Sequence, residues 1–231
     1  MGVLGGMGPG ATASFYTRLI RLSREKFGAS ANNDYPHILI YNLPVPDLIA
    51  DKAREKEAYS MMVSAIKDLE RAGVDFIVIP CNTVHLYLER LRCTAKVPIL
   101  NLIELVAEEV AASEVGKIGI LATRTALKAK LYQGELEKRG IPYFMPTEEG
   151  TEALVQAELM EISGESKKRA RLKVLKVIME MVKRGADGAI LGCTELPLLV
   201  GNKDTPLQIF DTLEILADKT LEFAYEENNY G

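Results

Sequence analysis

Two patterns alternate along the chain. Short, continuous apolar runs end in glycine, proline or a polar residue. Between them lie longer stretches with apolar residues three and four apart. The first pattern fits strands buried on both faces, the second amphipathic helices. The runs predict strands at residues 3–6, 37–42, 76–81, 98–101, 117–123, 141–146, 188–193 and 208–211. Helices are predicted at 11–27, 52–72, 83–92, from after 101 through 112, and at 125–140, 147–164, 167–185 and 212–225. Strand–helix alternation of this regularity predicts α/β architecture, with parallel sheets and right-handed crossovers.

One pattern is written twice. Residues 76–83 form an apolar run that stops at Cys81 and passes into Asn82 and Thr83. Residues 188–195 do the same, stopping at Cys193 before Thr194 and Glu195. The cysteines lie 112 residues apart, and the helix–Gly–Asp segments before them, 65–75 and 177–187, match at that offset. The chain therefore reads as two similar Rossmann-like lobes related by a pseudo-twofold axis, with the active site in the cleft between them. Residues 1–98 with 208–231 form the first lobe, carrying Cys81. Residues 99–207 form the second, carrying Cys193. The last helix is expected to pack back on the first lobe.

Composition narrows the chemistry. A net charge of −4 gives no basic field for nucleic acid. No apolar run reaches the roughly 18 residues that span a bilayer. With no export signal and three cysteines, reduced thiols in a cytoplasmic protein are expected. The turn at Gly5–Gly10 resembles a dinucleotide fingerprint only loosely. The next strand ends at Asn42, not at an acidic ribose partner, and no phosphate loop is present. No cofactor is expected. Zinc would need more ligands than His37, His85 and the cysteines offer in Cys-x-x-Cys spacing.

In a parallel sheet, ligands bind beyond the C-terminal strand ends. Each cysteine is expected there, as the last residue of a central strand, before a helix start where Asn and Thr cap well. A thiol at a helix N-terminus is expected to have a lowered pKa and to exchange protons near neutrality. A single buried cysteine is usually a small hydrophobe. Two at matching places, each followed by polar cap residues, argue for chemistry. Two thiols on opposite faces of one carbon suit inversion: one removes an α-proton, the other delivers one. The developing enediolate needs donors, and Asn82, Thr83 and Thr194 are the candidates, with Thr123 a weaker one. Cys93 has no counterpart in the repeat and is read as structural. His85 is read as either a tuner of Cys81 or structural.

Four stretches carry a resemblance: residues 4–9 (LGGMGP), 80–85 (PCNTVH), 121–123 (LAT) and 192–195 (GCTE). Together they resemble the aspartate/glutamate racemase superfamily, the amino-acid racemases that use no pyridoxal phosphate. The resemblance covers essentially the whole chain. It implies two α/β lobes, catalytic Cys81 and Cys193, substrate contacts including Met7, a small amino acid as substrate, and a homodimer. Aspartate is the first expected substrate. The alternatives are a broad-specificity or non-aspartate racemase, or another cysteine enzyme such as a hydantoin racemase. Aspartate-specific members carry an Arg after the Pro-Asp of the second-strand loop, and a Lys before the long second-lobe helix. This chain has Leu48 at the first place and falls near Met160 at the second.

Overall fold

The structure, a computed structural model, describes residues 1–46 and 54–228. The elements run β1 (Gly2–Gly5), α1 (Pro9–Phe27), β2 (Leu39–Asn42), α2 (Glu55–Arg71), β3 (Ile77–Val78), α3 (Leu88–Arg92), α4 (Leu102–Ala112), β4 (Ile118–Ala122) and α5 (Arg124–Lys128). They continue as α6 (Gln133–Lys138), β5 (Tyr143–Phe144), α7 (Glu148–Ile162), α8 (Lys167–Lys183), β6 (Gly188–Gly192), β7 (Gln208–Asp211) and α9 (Thr212–Asn228). Leu48 lies outside the described residues, as does the start of the helix predicted from residue 52. The chain divides into two compact units. One runs from Met1 to Leu102 and resumes at Leu213; the other is Ile103–Thr212.

The first unit holds a parallel three-stranded sheet in the order β2-β1-β3. Helix α1 buries Ala11, Phe15, Leu19 and Leu22, a stripe at helical spacing, and Ile20 is half-buried beside it. Helix α2 buries Ala58, Met62, Ala65, Ile66 and Leu69 in the same way. Burying one such Leu or Ile contributes roughly 2 kcal/mol, so these stripes set where the helices dock. As expected, α9 returns to this unit. Glu214 pairs with Arg18 at 2.6 Å and also with Arg21, and Lys26 pairs with Asp218 at 2.6 Å. Phe76 meets Phe223 edge-on with ring centroids 4.7 Å apart.

The second unit holds a parallel four-stranded sheet, β5-β4-β6-β7. The 112-residue repeat is kept in three dimensions: both ends of α8 lie 112 positions beyond the ends of α2. Each helix is followed by a glycine in the left-handed region, Gly73 at φ 80° and Gly185 at φ 86°. A side chain is strained there, which explains why glycine recurs at this stop.

Four expectations differ from what is observed. The strand at Gln208–Asp211, assigned to the first lobe, pairs with β6 in the second sheet. The hydroxyl of Thr212 fastens its end to the Leu191 carbonyl at 3.0 Å. Residues 98–101 form a single bridge, Ile77 to Ile99, instead of a full strand. Pro98 has no N–H to give a ladder, and α4 starts at Leu102. The helix predicted over 125–140 is broken into α5 and α6 by Lys130 at φ 55°. Lys130 N–H to Leu127 O (3.2 Å) and Leu131 N–H to Ala126 O (3.1 Å) close a helix-ending motif there without glycine. Lastly, residues 83–92 begin as a 3-10 turn, Thr83–Tyr87, before α3.

Candidate active site

Cys81 lies three residues past the end of β3, not at its last position, and is buried. Its N–H donates to the Ile79 carbonyl at 2.8 Å. Its carbonyl meets His85 Nδ1 at 2.8 Å, while His85 Nε2 accepts the Leu102 N–H at 3.1 Å. Burial pushes His85 down to about 4. The Cys81 and Leu100 carbonyls favour its charged form, the Arg92 guanidinium opposes it, and burial dominates. Asn82 and Thr83, the next two residues of the chain, are buried. Asn82 makes no side-chain cap bond, because its helical backbone angles are not those of a capping residue; its carbonyl accepts the His85 N–H at 3.0 Å. Met7 packs against the apolar cluster that contains Cys81.

The turn after β1 permits this approach. Gly6 has φ 95°, and a Cβ there would meet the Leu43 backbone at 2.5 Å. Only glycine lets the turn fold this closely against the end of β2. The Thr12 hydroxyl accepts the Gly6 N–H at 2.9 Å and donates to the Gly8 carbonyl at 3.1 Å.

Cys193 follows β6 directly and is also buried. Its Sγ donates to Glu195 Oε2 at 3.0 Å, and Thr194 Oγ1 donates to the same oxygen at 3.0 Å. Glu158 of α7 completes a buried group: one donor atom each from Glu158, Cys193 and Glu195 lie within 4.8 Å of one another. The thiol is pushed well above its ordinary value by burial, then by the negative charges of Glu195 and Glu158. This reverses the expectation of a lowered pKa. The turn after Cys193 is a three-residue 3-10 segment, Leu196–Leu198. It has no helix dipole large enough to offset two carboxylates. This group contains ligand types that could hold an ion; as it stands, the thiol donates a hydrogen bond to Glu195.

Ala122 pairs with Gly192 across β4 and β6. Thr123 and Cys193 therefore leave the sheet side by side. Thr123 is the N-cap of α5 and accepts the Ala126 N–H at 3.1 Å. Cys93 is exposed at the end of α3.

Sequence reasoning missed Glu158 as a partner of Cys193. A signal for it existed. Gly150, Thr151, Leu154, Ala157 and Glu158 are the buried positions of α7, spaced as one helical face, so a glutamate stands where a core residue belongs. Buried glutamates are rare without a paired role.

The model of the Asp/Glu/Hydantoin racemase family matches residues 4–220. The chain belongs to that family. Across 221 residues it is 28% identical to the broad specificity amino-acid racemase RacX of Bacillus subtilis (strain 168), covering 96% of each chain. It is 36% identical over 140 residues to the glutamate racemase of Aquifex pyrophilus, covering 57% of this chain and 50% of that one. An aspartate racemase homologue from Pyrococcus horikoshii OT3 is similar in structure with TM-score 0.81 and 31% identity, covering 97% of this chain and 98% of that one. The aspartate racemase of Picrophilus torridus gives TM-score 0.83 and 25% identity, covering 97% and 94%. Among the described residues no helix is long and apolar enough to cross a membrane.

Proposed function

We propose that this protein interconverts amino-acid enantiomers by a two-thiol proton transfer, with Cys81 and Cys193 addressing opposite faces of Cα and no pyridoxal phosphate. The observation that carries this reading is the repetition of one device: a buried cysteine just beyond a parallel strand, in each unit of a chain of this family. In one direction the Cys81 thiolate takes the α-proton, and the electron pair moves into an enediolate. The Cys193 thiol, already holding its proton beside Glu195, then delivers it to the other face. Cys81 ends as a thiol and Cys193 as a thiolate, so a return of one proton through solvent resets the pair. Asn82, Thr83, Thr194 and Thr123 are of the types that donate to the carboxylate as charge grows on it, and Met7 borders the apolar side. A homodimer working in the cytoplasm is part of this reading, supported by the family likeness; a solution mass equal to one chain would remove the dimer.

Broad side-chain tolerance is the substrate reading favoured here. Helix α7, which supplies Glu158 to the Cys193 thiol, contains no Lys or Arg along its length. Leu48 replaces the Arg that grips a second carboxylate in aspartate-specific relatives. The full-length likeness to a broad specificity racemase agrees. Strict aspartate specificity is the second reading, favoured by the likeness to the Pyrococcus and Picrophilus proteins.

The test is incubation of single L- and D-amino acids in D2O, following deuterium at Cα and the appearance of the opposite enantiomer. Several neutral substrates should react alongside aspartate. Cys81→Ala and Cys193→Ala should each lower racemisation by about 100- to 10,000-fold. Turnover of aspartate alone would select the second reading. No exchange with any amino acid would end both.

A further inference from the structure

We propose that His85 is a positioning residue for the Cys81 thiol, a neutral clamp joining the Cys81 carbonyl to the first N–H of α4. The proposal rests on the two-thiol reading above, and its test separates the two.

The hydrogen-bond partners fix the ring's state. A backbone N–H can only donate, so Nε2, which receives the Leu102 N–H at 3.1 Å, is the bare nitrogen. The proton therefore sits on Nδ1 and is donated to the Cys81 carbonyl at 2.8 Å. A second proton on Nε2 would displace the Leu102 N–H, and burial of the charge would outweigh the favourable Leu100 carbonyl. The ring is thus closed to acid–base work while both bonds last. Its two nitrogens meet backbone groups, the Cys81 carbonyl and the Leu102 N–H, and the Leu100 carbonyl lies near the ring as well.

The placement explains why a histidine is suited here. Residues 83–87 form a 3-10 turn, so the ring four positions after Cys81 folds back over that carbonyl. Leu102 opens α4, and its N–H is one of the first-turn donors that no helix carbonyl can reach. One ring satisfies both groups and ties together stretches 17 residues apart. Because the Cys81 N–H is also held, by Ile79 at 2.8 Å, both polar backbone groups of the thiol-bearing residue are fixed. Its Sγ then has little freedom beyond side-chain rotation. A thiol displaced by about 1 Å from a reacting carbon loses on the order of 100-fold in rate.

The test compares His85→Gln, His85→Asn and His85→Leu. Glutamine can present an N–H to Cys81 and a carbonyl to Leu102. Asparagine carries the same groups one carbon short, and leucine carries neither. Alkylation of Cys81 by iodoacetamide is followed against pH by peptide mass, with Cys193 in the same sample as control, beside kcat and KM for racemisation. His85→Gln should stay within about threefold of the parent on both measures. His85→Asn and His85→Leu should slow Cys81 alkylation about tenfold and lower kcat with little change in KM, while Cys193 alkylates as before. Parental Cys81 reactivity in His85→Asn and His85→Leu would overturn the proposal. A defect in His85→Gln as deep as in His85→Leu would also overturn it, since the ring's proton would then be needed. A parallel change at Cys193 would mean general loosening and would count against it. If His85→Leu does not fold, the Gln–Asn pair decides. If no variant and no parent racemises any amino acid but the alkylation pattern holds, the two-thiol reading falls and the clamp stands.

Discussion

Cys81 and Cys193 occupy matching places in the repeat and have different company. At the Cys81 carbonyl there is an imidazole whose charged form burial disfavours. Beside Cys193 there are two carboxylates, Glu195 on its own turn and Glu158 from α7. The repeat keeps a buried cysteine just beyond a parallel strand in each unit, three residues past one and directly after the other, and gives the two different titratable neighbours. The difference teaches that like placement does not give like acidity. Cys193 is built to hold a proton, so the pair is not symmetric at rest. In the two-thiol reading proposed above, the opposite direction would start from the opposite protonation state, with Cys193 as thiolate and Cys81 as thiol.

The largest way to sharpen the contrast is through acid. The His85 ring is neutral in the fold down to about pH 4, against an ordinary value of 6.5. Between these values the unfolded chain binds a proton that the folded chain refuses. Stability must therefore fall as the solution is acidified through that window, and be fully present above it. The gap corresponds to roughly 3 kcal/mol at about 1.4 kcal/mol per pH unit. His85→Gln lacks this component. Urea unfolding of both proteins between pH 7 and pH 4 should show the parent losing about that much relative to the variant. A difference that does not change with pH would mean that the ring is already hydrated or charged, and the Cys81 side would lose its neutral character.

Much of this molecule was legible in the residues. The apolar runs at 76–79 and 188–192 marked the thiol-bearing strands, and the glycines at 73 and 185 marked the helix stops, because a left-handed backbone admits little else. The resemblance pointed to both cysteines from short motifs. What periodicity could not show was pairing. Residues 98–101 and 208–211 look equally strand-like, yet one keeps a single bridge and the other joins the second sheet. The choice depends on which edge is near, and that is tertiary information. The acidity of Cys193 was misjudged for a related reason. Glu195 was visible two residues away, but Glu158 is 35 positions upstream, and only the docking of α7 brings it to the sulfur.

A smaller effect tests the Cys193 side directly. Glu158→Gln keeps the shape of the side chain and removes one negative charge near the thiol. Burial remains, so the thiol stays above its ordinary value, but less far above it. Iodoacetamide alkylation of Cys193 at pH 8 should rise roughly tenfold, with Cys81 unchanged as the control. Glu195→Gln should act in the same direction, and it also replaces the acceptor of the thiol hydrogen. If neither substitution speeds alkylation, the carboxylates are protonated already and the two thiols differ less than the geometry indicates.

The smallest effect concerns the turns that open the two units. After β1, the Gly6 N–H is satisfied from inside the helix by Thr12; after β4, the Ala126 N–H is satisfied from outside it by Thr123. The first arrangement needs glycine at the turn, and the second frees the turn to carry a side chain beside Cys193. Thr123→Ala should cost about 1 kcal/mol of stability through the lost cap, and Thr123→Ser should restore it, both read by thermal unfolding. Activity is the separate axis. A fall in kcat/KM beyond what Thr123→Ser shows would make Thr123 a substrate contact as well as a cap. A fall in stability alone would leave the two turns differing only in how each closes its helix.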